Sequence, residues 1–314
     1  MSEYRAGYDV VECLWIDEGA DFGTTPTTGT WKPIWLVNNF HPKPRPIFKE
    51  KVGVGRQLPS DFIEVKKYAE ARIELELLAK QADPAFEWTD IWHYIITNAA
   101  YGEAFSLGKR LKSLSIGAKL DLATDEFWLL KGCKPTGFSI AGELDSPLKG
   151  SIDILSQVAS FGTIDYVSGD ATRQANPASD YIKHEDSDVI IDVGGNGASS
   201  IIDRLNSWEF SVRRTLERKG KAATDPKLYK TFVEKDVVLE LRVNLDFDSI
   251  AQLTQFLNTT PFDAVIKIPS AADGRQITLS NGKWLELDIP HRELDLIALD
   301  LTAKFAGLSV ATIG

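Results

Sequence analysis

Few side chains in this sequence have the types and spacing that catalysis or metal binding requires. The candidates are His41, His93, His184 and His291, together with Cys13 and Cys133. No histidine lies two to five residues from another histidine or a cysteine, which is the spacing of local zinc-ligand pairs. Neither cysteine has the basic neighbours that activate a thiolate, and two cysteines supply no disulfide framework. We therefore expect no metal, no cofactor and no enzymatic activity.

Two neighbouring segments resemble ligand-binding loops only superficially. Residues 193–200 are glycine-rich but lack the lysine and the glycine spacing of a phosphate-binding loop, which favours a tight β-turn. Glu185, Asp186, Asp188 and Asp192 form an acidic cluster without the ligand order of a calcium loop. We expect both segments to be solvated.

A basic segment at residues 213–221 holds five Lys or Arg and one Glu. It is short and lacks aromatic residues, so it does not indicate a nucleic-acid surface. It is either a solvated hairpin tip or a patch that meets an acidic surface on a neighbouring subunit. Most tryptophans lie in the first half of the chain, where their spacing favours core or interface packing over sugar stacking. They are Trp15, Trp31, Trp35, Trp88, Trp92 and Trp128.

The 314 residues carry 35 basic and 45 acidic side chains, for a net charge of −10 that is spread along the chain. This balance argues against a sequence-independent grip on DNA, which needs clustered Lys and Arg. We expect no signal peptide, because the first residues are acidic where a signal peptide has a basic end and an apolar run. We expect no membrane partner, because no stretch approaches the roughly 18 apolar residues of a membrane helix. The length allows one large domain or two smaller ones.

Much of the chain alternates apolar and polar residues, as antiparallel strands do. Strands are predicted at 71–77, 111–120, 136–143, 151–154, 189–193, 207–216, 238–245, 262–268, 275–280, 283–289 and 299–302. Residues 84–99 and 248–258 have a helical pattern instead. Runs of strands with one packed helix predict a mainly β fold of sandwich or barrel type.

These elements occur twice in the same order, which indicates a tandem duplication. The separation of matched residues falls from 170 for Phe40 and Phe210 to 147 for Ile152 and Leu299, a drift that small loop differences would produce. Two unrelated β-rich domains would share part of this pattern by chance. We predict two tandem antiparallel β domains, at residues 1–165 (with an N-terminal arm) and 201–314, joined by a linker or extension at 166–200.

Several segments, taken in order, resemble the tail tube (major tail) proteins of long-tailed phages and archaeal viruses. The first is 18–26, with an acid, small residues, an aromatic, Gly-Thr and Pro; the others are 31–34, 132–143, 232–245, 258–262, 282–290 and 295–306. Residues 132–143 carry the pattern G-C-x-x-x-x-x-S-I-x-G-E. The resemblance spans nearly the whole chain, and its motifs are structural rather than catalytic.

The resemblance implies that inner strands of neighbouring subunits join into a barrel around a DNA-sized channel. An acidic lumen would repel phosphates, so duplex DNA would pass as cargo without binding. Candidate lumen-facing residues are Glu74, Glu76, Glu240 and Arg242, because their apolar neighbours along each strand would face the core.

The resemblance also implies stacked homo-oligomeric rings. Members with one domain form hexamers, so two fused domains favour a pseudo-hexameric trimer over a hexamer. The connections at 40–60 and 216–228 are expected to reach the next ring. Candidate inter-ring contacts are Arg213, Arg214, Arg218, Lys219, Lys221, Lys49, Lys51 and Arg56.

The expected partners are further copies of this chain and other tail proteins, in the virion tail after assembly in the host cytoplasm. The alternative is a β-sandwich binding module of a tail tip or baseplate, which would bind carbohydrate or protein and would not be an enzyme. Baseplate proteins, tube proteins of contractile tails and tube proteins of secretion systems have the same kind of domain, so the resemblance does not distinguish among them.

Overall fold

The computed structural model describes residues 10–19, 21–34, 37–51, 61–77, 113–120, 125–173, 183–193, 199–201, 205–246, 261–268, 275–288 and 298–312. Within these ranges the chain is mainly β, as its alternating pattern predicts. The single helical segment there is a 3-10 turn at His184–Asp186. The predicted helices at 84–99 and 248–258 lie outside the described residues.

Seventeen strands account for the described secondary structure. They are β1 (Val10–Asp17), β2 (Thr30–Pro33), β3 (Val37–Lys51), β4 (Asp61–Glu76), β5 (Leu114–Leu120), β6 (Glu126–Glu143), β7 (Lys149–Ser156), β8 (Val158–Gly162), β9 (Thr172–Arg173), β10 (Asp188–Val193), β11 (Ser199–Ser200), β12 (Leu205–Lys219), β13 (Thr231–Asp246), β14 (Phe262–Ile268), β15 (Arg275–Asp288), β16 (Ala298–Phe305) and β17 (Gly307–Thr312). The strands predicted at 275–280 and 283–289 are one continuous strand, β15.

Eight strands form a central antiparallel sheet in the order β3-β4-β7-β6-β12-β13-β16-β15. Its two faces differ because side chains alternate along each strand. In β4, for example, Ile73 and Leu75 are buried while Arg72 is exposed. The sheet therefore has one apolar face, which packs into the core, and one polar face.

Two smaller sheets cover the apolar face. Their orders are β2-β1-β5-β6-β8 and β11-β10-β14-β15-β17, while β9 pairs in parallel with β2. The long strands β6 and β15 belong to both a small sheet and the central sheet. Ile116 and Ile266 of the small sheets share one buried cluster with Ile73 and Leu241 of the central sheet. Fully burying each such side chain stabilises the fold by about 1.5–3 kcal/mol.

The pairing network of β1–β8 recurs in β10–β17. Phe40 pairs with Ile73 across β3 and β4, and Trp208 pairs with Val243 across β12 and β13. A β-bulge also recurs: it follows Pro135 in β6 and Trp284 in β15. Counterparts lie 168 residues apart for β3 and β12, 170 for β4 and β13, and 149 for β6 and β15 and for β7 and β16.

This register corrects the sequence match by two residues. Phe40 corresponds to Trp208 rather than Phe210, and Ile152 corresponds to Leu301 rather than Leu299. A shift of two keeps every side chain on the same face, so the apolar pattern alone could not detect it. The division into domains at 1–165 and 201–314 stays a prediction. Strands β10 and β11, which fall in the predicted linker 166–200, pair within the second small sheet.

Candidate assembly surfaces

The four predicted lumen residues lie on one face of the central sheet. They are Glu74, Glu76, Glu240 and Arg242. A continuous row of directly paired residues connects Glu74 to Glu240 through Ser151, Ser139 and Ser211. Directly paired residues project to the same side of a sheet, so the row lies on the polar face. The structure thus brings these four residues onto one surface, as the alternation predicted.

The polar face carries both signs of charge. Arg242 lies 2.7 Å from Glu240 and 3.9 Å from Glu209, measured between guanidinium nitrogen and carboxylate oxygen. Arg72 lies 3.0 Å from Glu74 and 3.9 Å from Asp153 in the same way. Glu240 is itself buried, with 8% of the residue exposed, so this predicted lumen residue is largely withdrawn from solvent. The more exposed pairs of Arg72 contribute at most about 1 kcal/mol each. Their main effect is to neutralise the face locally, so that it is neither a cationic DNA-binding surface nor a purely acidic one.

Several open depressions lie among the described residues of the polar face. One of them, about 660 Å³, crosses from β6 to β15 and is lined by Glu209, Arg242, Asn244 and Asp300 among others. Asn244 donates a hydrogen bond to Asp300 from its side-chain amide. Polar, open depressions of this kind lack the apolar walls of a small-molecule pocket.

The two halves of the central sheet meet where β6 pairs with β12. The pairing runs from Ser207 opposite Glu143 to Arg213 opposite Gly137. Trp208 packs against this pairing from the core side. A Cβ atom at Gly142 would lie only 2.5 Å from the indole Nε1 of Trp208, so the position needs glycine. We call this pairing the internal joint.

A buried ion pair reinforces the internal joint. The Lys134 ammonium of β6 donates to the Glu234 carboxylate of β13 at 2.8 Å and to the carbonyl oxygen of Phe232 at 3.0 Å. The Phe232 ring is only 1% exposed and meets the ring of Phe22 edge-on, with 5.4 Å between centroids. Removing one partner of such a buried pair costs about 3–5 kcal/mol, because the other charge stays buried.

Glu18, in the segment 18–26, holds the N-terminal loop near this joint. Its carboxylate accepts hydrogen bonds from the backbone N–H of Gly23 and Gly132, both at 2.8 Å, and from the Ser115 hydroxyl at 2.7 Å. Burial raises the pKa of Glu18, while these hydrogen bonds oppose the increase. The loop so anchored carries Phe22, and this explains in structural terms why an acid begins the segment.

The turn between β12 and β13 packs on β4 of its own chain. The Lys66 ammonium donates to the carbonyl oxygens of Pro226 at 2.8 Å and Leu228 at 3.2 Å. The Arg218 guanidinium lies 3.7 Å from the centroid of the Tyr68 ring. We call residues 220–230 the tip. Its base therefore has intramolecular partners, whereas the sequence predicted that 216–228 reaches another ring.

The predicted inter-ring residues differ in exposure and in the partners that they have within the chain. Arg213, Lys219, Lys221 and Lys49 are exposed, and the Lys219 ammonium pairs with Glu217 at 2.6 Å. Arg218 is occupied by Tyr68 as described above. Lys51 ends β3, and Arg56 lies outside the described residues.

Arg214 differs from the other members of that group because it is buried, with 8% of the residue exposed. Burial lowers the pKa of its guanidinium, and the nearby Glu234 opposes the decrease. The side chain is consequently not available at the surface of this chain, which corrects its grouping with the exposed basic residues. Its sequence neighbours gave no sign of this, since they are basic and polar.

Within the described residues, the two cysteines and the candidate metal ligands lack what cysteine catalysis and metal binding require. Burial raises the pKa of the Cys13 and Cys133 thiols, which keeps them protonated and unreactive. No group of three His, Cys, Asp or Glu side chains among the described residues is placed to hold a metal ion. Within the same residues, no helix has the length and apolar character needed to span a membrane.

No protein-family model and no curated protein match this chain. Several solved structures are similar in part, among them the following two. One is a chain of the anti-feeding prophage (AFP) baseplate, six-fold symmetrised, which is 11% identical with a TM-score of 0.30 over 44% of this chain and 98% of that chain. The other is Hcp1 from Flavobacterium johnsoniae, 9% identical with a TM-score of 0.25 over 40% of this chain and 95% of that one. At these TM-scores, neither likeness is close enough to carry a functional conclusion.

Proposed function

We propose that this chain is a virion structural protein that self-assembles into stacked rings, which form a tail tube for passage of the viral genome. The observation that carries the proposal is the internal joint. It already joins two four-stranded units of like pairing order edge to edge, and it leaves β3 and β15 as the edges of the central sheet. A head-to-tail contact that repeats the same rotation closes into a ring.

In this proposal each chain contributes two tandem β domains and therefore two sixths of the ring, so three chains complete it. The second domain starts with β10 at Asp188 rather than at residue 201, because β10 is the counterpart of β1 in the repeated network. The remaining part of the 166–200 segment is the extension between the domains.

The polar face of the central sheet lines the lumen in the proposed ring. Its acidic residues are paired with arginines on the same face, so the face neither attracts DNA phosphates strongly nor repels them strongly. Duplex DNA then slides without a defined binding site, because sequence-independent affinity requires uncompensated Lys and Arg. The exposed Lys49, Lys219 and Lys221 remain the candidates for contacts with the next ring or with other tail proteins.

The alternative of a carbohydrate-binding module has less support. Sugar stacking needs exposed aromatic rings, but Trp15, Trp31 and Trp208 are at most 2% exposed. These three tryptophans serve packing, while Trp128 and Trp284 are half-buried. The exposed aromatic rings in the described part of the chain are those of Phe48, Phe62 and Phe161.

Negative-stain microscopy of the purified chain, combined with native mass spectrometry, tests this proposal. We expect rings or tubes with a lumen as wide as duplex DNA and three chains per ring. Six chains per ring would contradict the trimer but not the tube. Monomers at all salt and protein concentrations would contradict the tube itself.

A further inference from the structure

We propose that β15 and the β3–β4 hairpin of a second copy form a head-to-tail joint with the register, the ion pair and the aromatic anchor of the internal joint. The inference rests on the proposed ring only for closure. It assigns a specific interaction surface, with residues that the polar lumen and the inter-ring contacts do not include.

The first argument is the identity of the joint residues in both halves. The repeated register places Lys283 where Lys134 lies, Glu64 where Glu234 lies and Phe62 where Phe232 lies. All three residue types are the same. The register also matches Arg45 with Arg213, Glu70 with Glu240 and Arg72 with Arg242. In the internal joint Lys134 and Phe232 are buried and Glu234 is half-buried, and the Lys134 ammonium bonds both the Glu234 carboxylate and the Phe232 carbonyl oxygen.

The second argument is exposure. Phe62 is 58% exposed, against 1% for Phe232, and Lys283 is exposed while Lys134 is buried. Phe48 and Ile63 add further exposed apolar surface on the same hairpin, at 53% and 48%. The anchor and the lysine thus sit at opposite ends of the central sheet of one chain, where only another copy can bring them together.

The third argument is the backbone chemistry of the β3 edge. Pro42, Pro44 and Pro46 pair with β4 but have no N–H, so the hydrogen bonds of those pairs come from the residues between them. The three prolines therefore present only carbonyl acceptors at the free edge. Two β3 edges would face each other without donors, which disfavours a symmetric contact. β15 offers N–H donors to these carbonyls, so a head-to-tail pair keeps the half of the ladder hydrogen bonds that the prolines leave possible, whereas two β3 edges would form none there.

The register of the internal joint sets the register of the proposed one. Of its seven residue pairs, three have counterparts in the described part of β15: Arg45 with Glu286, Pro44 with Leu287 and Lys43 with Asp288. Arg213 opposite Gly137 becomes Arg45 of one copy opposite Glu286 of the next. Both side chains are exposed, and their charges are opposite. Arg45 already lies 3.1 Å from Glu70, so it would bridge two carboxylates at the joint.

Charge reversal tests the ion pair. We expect Glu64→Lys and Lys283→Glu each to weaken self-association by about 30-fold or more, and the double variant to restore it, since both ends of every joint are then reversed. Asp170→Lys, an exposed reversal elsewhere, serves as the control for net charge. Thermal unfolding and sedimentation velocity of each full-length variant separate misfolding from loss of association. Assembly of both single variants at wild-type concentration would overturn the proposed joint.

Cysteine cross-linking tests the register. Facing residues of this kind lie about 4.5 Å apart between Cα atoms, within disulfide range. We expect Arg45→Cys/Glu286→Cys to form intermolecular disulfides that end in a closed covalent oligomer on non-reducing gels. Ser139→Cys/Ser211→Cys is the intramolecular positive control, and Arg45→Cys/Thr302→Cys, one strand further away, is the negative control.

The outcomes distinguish this inference from the tube proposal. Cross-linking at 45 and 286 in open chains that never form tubes would support the joint and contradict the tube. Tubes that assemble without this cross-link and despite both charge reversals would support the tube and contradict the joint.

Discussion

Phe62 and Phe232 occupy the same position in β4 and β13, yet the first is 58% exposed and the second 1%. The difference arises because β12 and β13 have the first half of the chain beside them, whereas β3 lies at the end of the central sheet. The same position of the repeat is thus covered by a neighbouring strand pair at Phe232 and uncovered at Phe62.

The two phenylalanines should respond differently to truncation. Phe232→Ala removes a buried ring against Phe22, and we expect a loss of about 3–5 kcal/mol in the free energy of unfolding. Phe62→Ala should change the stability of the dispersed chain by less than about 0.5 kcal/mol, while it weakens assembly. Urea unfolding and sedimentation of both variants provide the comparison, and equal losses of stability would refute the assignment of Phe62 as an open anchor.

Glu18 should make stability depend on pH. Its folded-state pKa is raised, chiefly by burial, so folding favours the protonated form. The resulting stabilisation is complete below the unfolded-state pKa and is lost as pH rises through the folded-state value. We therefore expect the free energy of unfolding of the wild type to fall, relative to that of Glu18→Gln, from acidic to neutral pH in urea titrations. Asp21→Asn is the matched control in the same loop, and a pH-independent difference would rule out this role for Glu18.

Lys66 should hold the tip in place. Lys66→Met keeps most of the side-chain volume but removes the donors to the carbonyl oxygens of the tip. We expect faster trypsin cleavage after Lys221 or Lys227 by about tenfold, which corresponds to a loss of about 1.4 kcal/mol in closing the tip. Lys43→Met on β3 is the control. Unchanged cleavage of the Lys66 variant would show that other contacts suffice.

The acidic residues of the polar face should limit DNA retention if that face lines a channel. We expect assembled Glu74→Gln/Glu76→Gln protein to retain duplex DNA more strongly at low salt, with the gain lost by about 0.2 M salt. Glu185→Gln/Asp186→Asn, two exposed acids outside the central sheet, controls for net charge. Equal retention by both double variants would argue that Glu74 and Glu76 face elsewhere.

The amino-acid pattern was sufficient for the strands and their faces. Alternation of period two placed Glu74 and Glu240 on one surface, because side chains of a strand must project to opposite sides. The repeated order of the elements was also visible, since it survives even where identity is low.

Only the tertiary structure decided the register between the halves and the residues that meet there. A shift of two residues leaves the apolar pattern unchanged, so the correspondence of Lys134 with Lys283 appears only once the strands are paired and the bulges are placed. Burial of Arg214 and docking of the tip on Lys66 likewise depend on segments far apart in sequence. Alternation fixes which side of a strand a residue faces, whereas the neighbour across a sheet edge is set by long-range pairing.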